Sequence, residues 1–512
     1  MYEPNVTPFP FWGAETITKT GRDPLAVQNS SVVIYDNMIK GITNVTTRIR
    51  YNGFFCWLLT LIAERLEASE INKIDNQKEQ IKLVRRGELL LAYSMQYNFP
   101  QITDGASGAI YVRRNFNTEK INLARGADIE NKPTVYWQNR LGVFGQYYIG
   151  VMTQLKLLYM PDASHDTYRV TKDGLRLCNI FRKSLSKQDE DLFWKSIQKG
   201  HIAKEDLGRF KSIALHLIDN EEELSEYTKI FCKPDRKDIT GREICHRINS
   251  IKLLMNYIRK EGAKVERRDM VLSFLKFNFQ LVLKKKLKVT EEQLSWFLYE
   301  LNELSHAAYE AYHFAILYTA TDEPQPLDIV LDELESDFKK TRKTRTASMD
   351  IYELYDKMLT AYFDDDFGSY LHLASCLLMA LYNAIKPYIT TLYDYAINED
   401  YDVKHTGFAP SLLIRLVDNH EYNGKWDFVE DNIYSAINDH LRSSYSKSSI
   451  GQGIVHNYMV DDGLIWQLRQ VEPIRTSPRL QNVLRFIEDI KWIKRSGERY
   501  VLTERGMKIL QQ

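Results

Sequence analysis

Cysteine is scarce in this chain, and what there is does not cluster. Cys56, Cys178, Cys232, Cys245 and Cys376 form no Cys-x-x-Cys pair, so neither a zinc-finger set nor a thioredoxin-type redox pair is spelled out. An odd, sparse set of thiols fits a reducing compartment, and we expect a cytoplasmic protein. An excess of charge is missing too, because Lys plus Arg and Asp plus Glu each total 68. A protein that coats nucleic acid along its length is normally basic, so any such binding here must come from local patches. The longest apolar run, residues 370–385, is interrupted by His372, Ser375 and Asn383. It falls short of the about 20 residues a bilayer span needs, so a buried core helix and no membrane partner are expected. Residues 1–12 lack the basic-then-apolar order of a signal sequence.

Catalytic signatures are also absent. The glycine-bearing loop at residues 103–108 precedes Arg113 and Arg114 but lacks the Gly-Lys-Ser/Thr ending of a P-loop. No His-Glu-x-x-His and no Gly-x-Ser-x-Gly occurs. Cys245 and His246 are adjacent and cannot both serve one metal without distant partners. His306 and His313 read as ordinary packed or surface histidines, and Asp364, Asp365 and Asp366 as an acidic helix end or turn. No cofactor, metal or catalytic residue is expected from these patterns.

What the chain does have is an internal echo. Residues 168–177 read Tyr-Arg-Val-Thr-Lys-Asp-Gly-Leu-Arg-Leu, and residues 500–509 read Tyr-Val-Leu-Thr-Glu-Arg-Gly-Met-Lys-Ile. The alternating apolar residues suit a short strand, and the Thr suits the N-cap of a helix that starts at the next residue. An amphipathic helical stretch and a polar turn precede each copy. In the earlier one the helical core is Leu141, Phe144, Tyr148, Val151, Met152 and Leu155. In the later one Ser477-Pro478 reads as a helix start, followed by a stripe of Leu480, Val483, Leu484, Ile487 and Ile490.

Helix, hairpin and Thr-capped helix resembles the end of a winged-helix domain, and both segments are similar to one. The expected fold class is therefore mainly α: a multi-domain helical protein with two winged-helix-like units, each helical with a small β-hairpin. The expected segments are an N-terminal helical region with an extended arm (1–130), a winged-helix-like unit (131–186), helical regions (187–320 and 327–442) and a C-terminal winged-helix-like unit (454–512). Residues 321–326 read as a linker, residues 443–453 as a flexible connection and residues 339–348 as a helix end or mobile loop.

The resemblance implies a reading helix and a backbone-touching wing. In the later unit that makes Arg479, Gln481, Asn482 and Arg485 the groove-facing candidates, types able to bond two groups on a base edge. Lys494, Arg495 and Arg499, with Lys491, would neutralise phosphates. The earlier unit carries Asp162, His165 and Asp166 at its tip, which would repel phosphate. Its Tyr147 and Tyr148 point instead to a protein interface or a core. Arg48 and Arg50, and the lysine-rich runs at 284–288 and 339–345, read first as solvated surface.

In layout the chain is similar to kleisin-type bridging subunits of chromosome-organising and plasmid- or phage-defence complexes. That likeness implies a non-enzymatic nucleic-acid-binding or scaffold component of a larger bacterial assembly. Its partners would be duplex DNA, other protein subunits or a second copy of the chain. The earlier unit departs from this pattern by starting well inside the chain, after Lys132-Pro133. Two rivals stand beside this reading: a nuclease or other effector with a dispersed site, and a ligand-sensing transcription regulator.

Overall fold

The computed structural model describes residues 23–67, 76–102, 106–237, 241–261, 266–341, 349–418, 422–448 and 455–512. The chain is mainly helical, and its helices gather into two compact units, neither of them a continuous stretch. The first takes in the chain up to Tyr35 and Leu275–Thr476; the second takes in Asp36–Phe274 and Ser477–Gln512. The five linear segments read from the sequence are thus regrouped, and both hairpin-bearing stretches fall in the second unit.

The first unit is organised on the 29-residue helix Glu291–Thr319. Thr290 starts it with a capping box, accepting from the Gln293 amide while the Gln293 side chain accepts from its own. Nearly every residue that follows is buried, which marks a core helix rather than a surface one. The helices Phe367–Ile385, Trp426–Lys447, Leu327–Lys340 and Ala409–Val417 pack on it. Phe367–Ile385 is the buried helix expected from the sequence, and the helical run continues to Asn398. By length and composition alone that run would suffice to cross a membrane, but 72% of its most apolar window is buried in the unit.

Residues 321–326 do not act as a linker. Gln325–Pro326 forms the edge of a three-stranded antiparallel sheet with Leu464–Gln467 in the middle and Tyr458–Asp461 beyond. An edge is where a strand proline is tolerated, because it has no N–H to donate. Ser443 and Ser444 are buried in the helix Trp426–Lys447 rather than in a connection, and residues 449–454 lie outside the described residues. Lys339 and Lys340 end the helix Leu327–Lys340, paired with Glu335 and Asp337, while 342–348 lie outside the described residues. The N-terminal arm, 1–22, and residues 103–105 of the glycine loop also lie outside them.

The second unit has an aromatic core. Tyr51–Glu67 carries Tyr51, Phe54, Phe55 and Trp57, which meet Phe144, Tyr148, Phe181 and Phe193 with ring centroids 4.7–6.4 Å apart. Arg50 is not surface: it is 2% exposed and grips Glu223 through Nε (2.9 Å) and Nη2 (3.0 Å). Asn76–Asn98 contributes Arg85, whose guanidinium donates to the carbonyls of Ala127, Trp137 and Asn139 and so fixes the segment leading to the earlier hairpin.

Candidate nucleic-acid interface

The echo in the sequence is an echo in the backbone. The helix Ile149–Gln154 closes with Lys156 in the left-handed region (φ 58°), and Leu157 N–H reaches back to Met152 O at 2.8 Å. The helix Leu480–Asp489 closes with Lys491 in the same conformation (φ 62°), and Trp492 N–H reaches Ile487 O at 2.8 Å. Each bond satisfies a carbonyl that the helix end leaves open.

A two-stranded hairpin follows in both places. Leu158–Tyr159 pairs with Arg169–Val170, and Ile493–Ser496 pairs with Arg499–Leu502. Thr171 and Thr503 then cap the helices Lys172–Arg182 and Glu504–Gln511, accepting from Gly174 N (3.2 Å) and Gly506 N (3.1 Å). Both hydroxyls also donate backwards, Thr171 to Lys156 O (2.6 Å) and Thr503 to Lys491 O (2.5 Å). One hydroxyl therefore locks the strand exit, the helix end and the next helix start together.

The exposed chemistry of the two modules differs at matching places. Counting from the left-handed lysines, Tyr159 and Met160 stand where Lys494 and Arg495 stand, and all four side chains are exposed. In the later hairpin Lys494 faces Val501 and Ser496 faces Arg499 across the strands. Side chains alternate between faces, so Lys494, Ser496 and Arg499 share the outward face, opposite buried Ile493 and Tyr500. Arg495 lies on the inner face with its guanidinium 5.7 Å from the Tyr500 ring and 3.2 Å from Glu488. The earlier tip is held by Asp162, which accepts from Ser164 N (2.8 Å) and His165 N (3.0 Å). Those amides keep its carboxyl below the usual range, so this tip stays anionic.

The helix ahead of the later hairpin is covered. Leu480, Asn482, Val483, Leu484, Phe486 and Ile487 are all buried, with Phe486 stacked on Phe231 at 6.2 Å. Asn482 donates to Thr43 O at 2.6 Å, so its amide is used within the fold and does not face a groove. Arg479 precedes the helix with φ 60° and donates to Asp36 (2.6 Å) and Ile42 O (3.0 Å). The helix therefore starts at Leu480, and Ser477 instead bonds Asn44. Gln481 and Arg485 are half-buried. Among the sequence candidates, Lys491, Lys494, Arg495 and Arg499 are the exposed ones, the last three gathered on one hairpin.

Of the tyrosine pair, Tyr148 is 1% exposed against Tyr51 and Phe55, while Tyr147 is half-buried against Trp137. They lie in a π-helical turn, Phe144–Tyr148, rather than in an α-helix. Inspection of the sequence missed Arg267, which donates to Glu488 at 2.7 Å from 221 residues away. It also undervalued Arg48, bound to Asp489 at 2.6 Å. Neither pairing has a local signal, because spacing along a helix cannot reveal a partner on a distant segment. Among the described residues no group of three or more His, Cys, Asp or Glu is placed to hold a metal ion. Compared with family profiles, curated proteins and solved structures, the chain matches none.

Proposed function

We propose that this chain is a non-enzymatic nucleic-acid-binding or scaffold component of a larger complex, and that its later hairpin is a wing that contacts the phosphate backbone of duplex DNA. The observation that carries the reading is the outward face of that hairpin, where Lys494 and Arg499 lie diagonally across two strands. Cations so placed track a phosphate ladder and release counterions on binding. They position the protein without reading sequence, and the covered Asn482 supports that division of labour.

The test is fluorescence anisotropy on a duplex over a range of salt, with wild type and the Lys494→Glu/Arg499→Glu double variant. Both positions are exposed, so the fold should hold. We expect the variant to lose affinity more than tenfold and the log–log salt slope to shrink by roughly two. Equal affinity and equal slope would end the wing reading.

The earlier module supports a second contact of a different kind. Tyr159 and Met160 are 54% and 46% exposed on its hairpin, and aromatic and Met side chains are enriched where proteins meet. This module therefore suits another protein subunit or a second copy of the chain.

A further inference from the structure

Within the second unit a cavity of about 340 Å³ opens beside the later hairpin, a volume at the small end of ligand pockets. Its wall is polar: Arg48, Arg267, Lys491 and Arg495 bring four cations to it, and Ile218 is its one apolar side chain. Glu488 serves two of the guanidiniums, Arg267 at 2.7 Å and Arg495 at 3.2 Å. Asp489 serves Arg48, and Asp219 lies on the same wall.

The donors are not used up by these pairs. The buried Nε atoms of Arg48 and Arg267, a ring nitrogen of His216 and the acceptor Asp489 Oδ2 have no hydrogen-bond partner. Those atoms are sealed from the void itself, so the charge of the wall decides what it suits: four cations stand against three carboxylates. An apolar ligand would leave the charged wall without solvation, and a metal cation would be repelled by the guanidiniums. A compact anion with several acceptor oxygens meets both demands. Burial, with Arg48 and Arg50 close by, holds the His216 imidazole below its usual range, so the ring is neutral at pH 7 and adds no charge to the wall. Burial also pushes the Asp489 carboxyl up to about 6, making it readily neutralised when an anion arrives.

We infer that this cavity binds a phosphomonoester, whose three non-bridging oxygens suit the paired guanidiniums of Arg48 and Arg267 and the Lys491 ammonium at the rim. The phosphate can come from a nucleic-acid terminus or from a small phosphorylated molecule. Only the first source rests on the wing reading above.

The test begins with inorganic phosphate alone, titrated against wild type, Arg267→Gln and Arg495→Gln, with chloride at equal ionic strength as the control. Phosphate should raise the wild-type melting temperature in a saturable way, and Arg267→Gln should need about tenfold more phosphate for the same rise. If Arg267→Gln does not fold, the half-exposed Arg495→Gln carries the comparison, and phosphorus NMR line broadening reads binding to wild type directly. No saturable rise, a rise matched by chloride, or variants that respond like wild type would overturn the site. Duplexes ending in a phosphate or in a hydroxyl then separate the sources. Tighter binding of the phosphate end points to a nucleic-acid terminus, and equal binding with the phosphate response intact points to a small ester. The Lys494→Glu/Arg499→Glu protein should keep the phosphate response, because neither residue lines the cavity. Failure of the wing reading is thereby distinguishable from failure of this one.

Discussion

His313 and His440 face each other inside the first unit with ring centroids 4.6 Å apart, and their hydrogen bonds hold both as neutral imidazoles. Asn457 is the clamp: its backbone N–H donates to His440 Nε2 (3.1 Å) and its side-chain amide donates to His313 Nε2 (2.9 Å). Each Nε2 is thus an acceptor, which leaves each Nδ1 to donate, His440 to Pro24 O and His313 to the Tyr458 hydroxyl. A proton on either Nε2 would break the clamp and place a charge in a sealed core.

This arrangement makes the first unit acid-sensitive. Burial lowers the His440 pKa from 6.5 to about 3, with His456 and Lys447 adding to the effect, and burial beside His440 holds His313 well below its usual range. Between the folded and unfolded values the unfolded chain binds more protons, so stability falls as pH drops from 6.5 towards 3. Each histidine contributes a slope of up to about 1.4 kcal/mol per pH unit in that window. Glu300 and Glu310 have raised pKa values in the same unit and act in the opposite sense, so the comparison must be between proteins. His440→Gln, which can still accept and donate, should show a shallower loss of urea stability from pH 6.5 to pH 4 than wild type. Parallel curves would mean that His440 is charged or solvated in the native state.

The repeated glycines give a test with an unusual sign. A Cβ on Gly174 would sit 2.4 Å from Leu157 O, and one on Gly506 would sit 2.1 Å from Trp492 O. Both are backbone atoms that cannot swing away. Helix propensity alone says that Gly→Ala in a first helical turn should stabilise by about 1 kcal/mol. The close approach says the reverse, and strain of this kind costs on the order of 2 kcal/mol or more. Gly174→Ala and Gly506→Ala should therefore both lower the denaturation midpoint. A stabilised variant at either site would show that the hairpin does not pack against its following helix as described.

The same modules show where sequence inspection succeeds and where it stops. Thr171 and Thr503 are legible because a helix cap acts within a few residues. Asn482 departs from the sequence reading because its helix is covered on a broader front than one apolar stripe, by Phe231 and by Thr43. Arg50 looked like surface because its partner, Glu223, is 173 residues away. The two discontinuous units were illegible for the same reason, since long-range return of the chain leaves no local mark. The cavity combines both limits, as Arg48, His216, Arg267 and Asp489 come from separate stretches.

Glu88 supplies a pH test in the second unit. Its carboxylate accepts from Val143 N (3.1 Å), Phe144 N (2.6 Å) and the Tyr136 hydroxyl, at the approach to the earlier module. Burial outweighs these bonds and raises its pKa from 4.5 to about 7. Its contribution to stability is fully present below pH 4.5 and is lost as pH rises through 7. The full swing is on the order of 3 kcal/mol, from the size of the shift. Glu88→Gln keeps a carbonyl acceptor without the charge, so its stability should be flatter than wild type between pH 4.5 and pH 8. Equal slopes by urea titration at fixed ionic strength would show that Glu88 is solvated enough to ionise normally.

Tyr147 and Tyr148 divide the earlier module between core and surface. Tyr148 sits 4.7 Å from Tyr51 and 5.0 Å from Phe55, ring to ring, and its removal leaves a cavity in the aromatic core. Large-to-small changes at such sites cost about 3–5 kcal/mol. Tyr147 meets the half-buried Trp137 edge-on at 5.6 Å and keeps part of its own side chain in solvent. Its truncation should cost less than about 1 kcal/mol of folding stability. If this surface joins copies of the chain, Tyr147→Ala should also shift the concentration-dependent mass seen by light scattering towards the monomer while the melting temperature holds. Should Tyr147→Ala melt as early as Tyr148→Ala, with the mass unchanged, both rings are core and the module has no docking role at this position.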